Sequence, residues 1–179
     1  MVQNEVILVN EQDEPIGVME KMLVHQQGLL HRAFSVFIFD ERGRMLLQQR
    51  AAGKYHGAGL WTNACCSHPF PGEGIEDAAA RRLKEELGFA TSLQKIFTFT
   101  YYAQVENGLI EHEFDHVFTG RYQGRIIMNP EEVSDHRYLE MAELIRELGN
   151  YPERFTSWFK IAFPKIEKWW HLQFMAKTL

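Results

Sequence analysis

The chain has 179 residues, 45% of them hydrophobic and 13% aromatic, which is enough for one well-filled core and too few for two, so residues 1–179 are expected to form a single domain. A net charge of −5 supplies no global basic field, which speaks against a nucleic-acid groove or an anionic membrane surface and leaves any anionic ligand to a local pocket. No run approaches the roughly 20 apolar residues that span a bilayer, Met1 to Asn10 lacks the basic start of a secretory signal, and two cysteines without such a signal fit a reducing cytoplasm.

Glu5 to Val9 and Ile16 to Glu20 read as short strands around a turn-rich stretch ending at Pro15. His25 and His31 flank Gln26-Gln27-Gly28-Leu29-Leu30, which reads as a loop. Ala33 to Phe39 and Arg44 to Arg50 are strand-like and joined by a loop ending in Gly43. Gly53 to Gly59 is a glycine loop, Leu60 to Cys66 a further strand, and Pro69 to Gly74 a second loop. Ile75 to Leu87 is dense in helix formers, with Gly88 where a left-handed cap belongs and an apolar face through Ile75, Ala79, Leu83 and Leu87. Leu93 to Val105 and Leu109 to Tyr122 are long β segments around Asn107-Gly108, a strong hairpin signal. Arg137 to Leu139 reads as a last strand, Met141 to Leu148 as a helix, and Thr156 to Met175 as a helix that Pro164 kinks or divides. Strands interrupted by one helix and closed by helices predict a mixed α/β sandwich.

Alternation along strands then sorts the reactive side chains. Glu111 and Glu113 share a face while His112 points away with Phe114 and His116, and two carboxylates so placed require a cation or a proton between them. If the strand persists to His68, Cys66 and His68 share a face and Cys65 points to the other, as a small core residue. The two thiols are expected to stay free, because trans neighbours have Cα atoms about 3.8 Å apart and disulfides want about 4.4 Å or more. Three histidines and two carboxylates, taken jointly, suit Zn²⁺, Mn²⁺ or Fe²⁺ better than Ca²⁺.

Ser67 to Phe89 resembles the Nudix box, G-x5-E-x7-R-E-U-x-E-E-x-G-U, with Glu73, Arg81, Leu83, Glu85, Glu86, Gly88 and Phe89 in register, Ser67 at the first Gly and Arg82 at the first Glu of the Arg-Glu pair. The resemblance implies a Nudix α/β/α sandwich with a mixed sheet. Arg82, Glu85 and Glu86 lie on one helix face, and an arginine in a carboxylate trio weakens it as a Mg²⁺ site while offering a fork to phosphate.

From about Glu5 to Trp170 the chain resembles the type 1 isopentenyl diphosphate isomerases, which share the Nudix fold. The likeness rests on Glu20-Lys21, His25, His31, Arg50 to Lys54, Trp61-Thr62-Asn63, Cys66 to Pro69, Gly72-Glu73, Glu76-Asp77-Ala78, Arg81-Arg82, Glu86-Leu87-Gly88, Glu111-His112-Glu113 and Ser157-Trp158 in that order and spacing. It implies one divalent metal (Mn, Zn, Mg or Fe) on His25, His31, His68, Glu111 and Glu113, and Mg²⁺ on Glu86 that also meets the substrate diphosphate. It also implies basic contacts to that diphosphate from Lys21, Arg50, Lys54 and Arg82. The implied reaction protonates an alkene to a tertiary carbocation and removes a proton elsewhere, with Glu113 and Tyr101 on the protonating side, Cys66 opposite, and Trp158 shielding the cation. Ser67 departs from the glycine usual after the cysteine. The implied partner is an isoprenoid diphosphate alone, for a cytoplasmic monomer or weak homodimer. The rival readings are a Nudix pyrophosphohydrolase, which must explain Arg82, and a non-catalytic diphosphate-binding module.

Overall fold

A computed structural model describes residues 4–175. Residues 1–3 and 176–179, which belong to the expected domain, lie outside the described residues. The elements run β1 (Glu5–Val9), β2 (Pro15–Glu20), α1 (Lys21–Gln27), β3 (His31–Phe39), β4 (Met45–Arg50), β5 (Trp61–Thr62), β6 (Cys65–Ser67), α2 (Ile75–Leu87), β7 (Leu93–Gln104), β8 (Ile110–Arg121), β9 (Val133–Leu139), α3 (Met141–Asn150) and α4 (Ser157–Trp170).

β3 is the hub of a mixed sheet, and its sequence explains why. Its residues are apolar on both faces, the pattern of a strand covered on two sides. Phe34, Val36 and Ile38 pack with Ala79, Leu83 and Leu87 of α2. Phe37 and Phe39 pack with Phe155, Phe159, Phe163 and Ile166 around α4. Along its edges β3 pairs antiparallel with β4 and β6 and parallel with β8, the last register setting His31 beside Glu113 and Ser35 beside Val117. β7 pairs antiparallel with β8, which sets Tyr101 beside Glu113. Helices on both faces of a mixed sheet are the expected sandwich.

Several local expectations are corrected. The loop between the two histidines is in part a helix: α1 carries His25, is capped by the Glu20 carboxylate accepting from the Leu23 amide at 2.9 Å, and ends at left-handed Gly28. The strand over Leu60 to Cys66 is two, because β5 pairs with β4 while β6 pairs with β3, and Asn63 sits at the crossing between sheet neighbours. β6 stops at Ser67 and does not reach His68. β9 begins at Val133, not Arg137, because it pairs with β4 over nearly its whole length. α4 runs through Pro164 undivided, its buried Phe159, Ala162, Phe163 and Ile166 fixing it to the sheet, and a π-type turn over His171–Met175 follows. Between β7 and β8 the chain turns at Asn107 and Gly108, both with positive φ.

Candidate active site

The α4 side of the sheet opens into a pocket where β6, β8, α1, the glycine loop and α4 meet. Glu111 and Glu113 project from one face of β8, both buried, and His116 lies on the other with its Nε2 2.9 Å from Asp13 Oδ2. His25, His31, His68, Glu111 and Glu113 bring one donor atom each to within 4.8 Å of one another. The individual contacts are His25 Nε2 to Glu111 Oε2 at 3.2 Å, His68 Nε2 to Glu113 Oε1 at 3.0 Å and His31 Nε2 to His68 Nε2 at 3.2 Å.

The backbone determines which nitrogen faces inward. His25 Nδ1 donates to the Lys21 carbonyl at 2.7 Å and His31 Nδ1 to the Leu29 carbonyl at 2.8 Å, so each Nε2 presents a lone pair to the cluster. His25 Nε2 and Glu111 Oε2 are buried without a hydrogen-bond partner. Lone pairs and carboxylate oxygens converging on one point in a dry site fit a divalent cation. Burial pushes His68 down to about 3, so it is a neutral imidazole suited to ligation.

Tyr101 donates its hydroxyl to Glu113 Oε2 at 2.6 Å, and burial lifts the phenol well above its ordinary range. Cys66 lines the same pocket. Burial, followed by the nearby charge of Asp115, pushes its thiol up, so Cys66 keeps its proton through neutral pH. Cys65 faces the opposite side, fully buried, with its sulfur 3.5 Å from Glu86 Oε1. Both cysteines are free. Ser67 has no positive φ and pairs with Phe34 as an ordinary strand residue, so this backbone demands no glycine there.

The four expected cations, Lys21, Arg50, Lys54 and Arg82, all line the pocket. Burial lowers the pKa of Lys21, whose ammonium lies 5.0 Å from the centre of the Tyr55 ring. Arg50 stacks over Trp158 at 5.1 Å. Gly57 makes this stack possible: a Cβ there would come within 3.1 Å of Trp158 and 3.2 Å of Arg50 Nε, at a φ of 59°. Lys54 and Arg82 share the carboxylate of Glu132, the latter at 3.2 Å. Arg82 also bonds Glu85 at 2.8 Å and Glu86 at 2.7 Å, placing a guanidinium inside the carboxylate pair. Glu86 stands apart from the five-residue cluster, its second oxygen accepting from Gln48 at 2.8 Å.

Sequence reasoning missed His56, which reaches Glu111 while its carbonyl accepts from Arg50 at 3.0 Å. It also missed Tyr55 and Glu132. Tyr55 lies in the glycine loop and Glu132 between the strands read at Tyr122 and Arg137, so no periodic signal marks them.

Residues 29–159 match the NUDIX domain family. A crystal structure of a Deinococcus radiodurans protein superposes with a TM-score of 0.67, covering 82% of this chain and 90% of that one at 21% identity, a likeness of fold. Within that fold class the chain belongs to the isopentenyl-diphosphate Delta-isomerase family. It is 49% identical to isopentenyl-diphosphate Delta-isomerase 2 of Photorhabdus laumondii, covering 93% of this chain and 97% of that protein. It is 51% identical to the isopentenyl-diphosphate Delta-isomerase of Serratia proteamaculans, covering 91% and 94% respectively. Among the described residues no helix is long and apolar enough to cross a membrane.

Proposed function

We propose that this chain, as one domain, converts isopentenyl diphosphate to dimethylallyl diphosphate in isoprenoid precursor biosynthesis. The observation that carries the reading is the meeting, in one pocket, of a free thiol, a carboxylate bonded to a buried phenol, and four basic side chains. The hydrolase alternative is not favoured, because Arg82 neutralises the helix carboxylates such an enzyme would use for its metal.

Lys21, Arg50, Lys54 and Arg82 bind the diphosphate by charge-assisted hydrogen bonds. The diphosphate competes with Glu132 for Lys54 and Arg82, so binding releases that carboxylate from its partners. Glu86 would hold a magnesium ion accompanying the diphosphate once the diphosphate draws Arg82 away from it, and that ion would add positive charge against the diphosphate oxygens. His25, His31, His68, Glu111 and Glu113 would hold a divalent ion of the Mn, Zn, Mg or Fe kind, which would supply fixed positive charge and keep Glu113 ionised.

Cys66 and Glu113 exchange protons with the carbon skeleton. The sequence reading gave the first proton to Glu113. We instead place it at Cys66, because burial keeps its thiol protonated at rest, whereas Glu113 belongs to the five-residue cluster that would hold it as a carboxylate around a cation. The S–H proton then forms the new methyl C–H bond at the terminal alkene carbon, and the cation develops at the branched carbon. Glu113, steadied by Tyr101, removes a proton from the neighbouring CH₂, and the electrons of that C–H bond become the new double bond. The face of Trp158 stabilises the cation and excludes water.

The acidic net charge supports an enzyme without a nucleic-acid or anionic-membrane partner, and the proposal places it in the cytoplasm as a monomer or weak homodimer. Incubating folded, metal-loaded protein with isopentenyl diphosphate tests the activity: dimethylallyl diphosphate should appear in the NMR spectrum. Its absence, or release of inorganic phosphate instead, would contradict the reading.

A further inference from the structure

Between β5 and β6 the chain leaves one sheet neighbour for another, and the residue at that crossing, Asn63, is fully buried. Its amide is completely specified. Nδ2 donates one proton to the Val36 carbonyl at 3.1 Å and the other to the Cys65 carbonyl at 2.9 Å. Carbonyl oxygens accept only, so the nitrogen and oxygen ends of the amide cannot be exchanged. Oδ1 therefore points the other way, 3.0 Å from Cys66 Sγ and 3.0 Å from Thr62 Oγ1.

The direction of every further bond follows. An amide oxygen cannot donate, so the thiol of Cys66 and the hydroxyl of Thr62 must both donate to it. With its only proton spent on Asn63, Thr62 Oγ1 acts as an acceptor. It receives the Trp158 indole N–H at 3.0 Å and the Thr156 hydroxyl at 3.0 Å. Thr62 and Thr156 are both buried, and the Thr156 amide also donates to the Trp61 carbonyl at 3.0 Å. One directed chain thus runs from the edge of Trp158, through Thr62 and Asn63, to the sulfur of Cys66, with no free hydroxyl rotor in it.

We propose that Asn63 and Thr62 are positioning residues that fix the Cys66 thiol and the Trp158 ring in one frame. The inference rests on the isomerase reading of the pocket. Neither residue touches the reacting carbons. Asn63 holds the sulfur in place, the S–H turning from Oδ1 to the alkene once substrate is bound, and Thr62 holds the edge of the indole so that its face, where a cation is stabilised, stays turned to the pocket. The two groups come from strand β6 and helix α4, far apart in sequence, and the proton-exchanging atom and the cation-facing ring are required together at one substrate. A small displacement of either is costly: a misplacement of about 1 Å is worth on the order of a hundredfold in rate.

The test uses the full metal-loaded chain. Thr62→Val keeps the shape of the side chain and leaves Asn63 in place. It should lower kcat about tenfold with KM for isopentenyl diphosphate unchanged, since a transition-state arrangement is lost and ground-state binding is not. The same substitution on a Trp158→Phe background, where no indole N–H exists, should cost nothing further. Asn63→Ala, in a Cys65→Ala background that isolates one thiol, should move the infrared S–H stretching band of Cys66 to higher frequency and lower kcat by about a hundredfold. A Thr62→Val enzyme at wild-type kcat, losses that multiply with Trp158→Phe, or an unmoved S–H band would each overturn the inference. If the wild-type protein makes no dimethylallyl diphosphate, the isomerase reading falls, and the S–H band still decides whether Asn63 holds the thiol.

Discussion

Cys65 and Cys66 are neighbours in the chain and occupy different chemical worlds. β6 turns Cys65 into the apolar layer under α2, beside Leu83 and Leu87, and turns Cys66 into the pocket under α4, beside Ser35 and Asn63. Burial raises the pKa of both thiols, so a difference in acidity cannot separate their roles. Access and company do. Cys65 has no route to a substrate, whereas Cys66 lines the same pocket as Glu113, Tyr101 and Trp158. The period of a strand, two residues, is what makes one thiol structural and the other reactive.

The largest break in this comparison comes from removing the pocket thiol. Cys66→Ala should lower kcat by about a hundredfold to ten-thousandfold, the range of a lost general acid or base, with the fold intact by circular dichroism. Glu113→Gln should fall in the same range and also release bound metal, measured by elemental analysis, because the cluster loses a carboxylate. Arg82→Ala should raise KM about tenfold with a smaller change in kcat, because a charge-assisted ground-state contact is removed. A pH series sharpens the picture of Cys66. With its pKa raised by burial, the thiolate is scarce at neutral pH and grows as pH rises. Iodoacetamide should therefore label Cys66 slowly near neutrality and about tenfold faster per pH unit toward pH 9, and a rate that levels off below about pH 8 would contradict the thiol form. The smallest effect belongs to the other face: Cys65→Ala should leave kcat within about twofold and cost about 1 kcal/mol of stability in a denaturant titration, from the small cavity under α2.

Much of this site was legible because its residues sit on regular strands. The shared face of Glu111 and Glu113, and the opposed faces of Cys65 and Cys66, follow from alternation, and both are found. The His68 position was reached by the same reasoning for a partly wrong reason, since β6 ends one residue earlier and the following loop delivers the imidazole. α1 escaped because seven residues make barely two turns, too short for a helical period to emerge, and only Glu20 and Gly28 at its ends announce it. The glycine loop hid His56 for a different reason: its place against Glu111 is set by the tertiary fold, and nothing local encodes it. Glu132 lies in a stretch with no element or motif, and only the fold brings Lys54 and Arg82 to converge on it. Asn63 read as one residue of a continuous strand, whereas it marks the point where the strand changes partners.

The central claim is that one of two adjacent thiols moves protons on the substrate. Isopentenyl diphosphate supplied in D₂O to the wild-type, Cys65→Ala and Cys66→Ala proteins, each loaded with metal, puts it to the test, with deuterium incorporation at carbon followed by NMR. Wild-type and Cys65→Ala should incorporate deuterium into the new methyl group as dimethylallyl diphosphate forms, and Cys66→Ala should incorporate none on the same timescale. Incorporation by Cys66→Ala at the wild-type rate, or its loss in Cys65→Ala alone, would contradict the account.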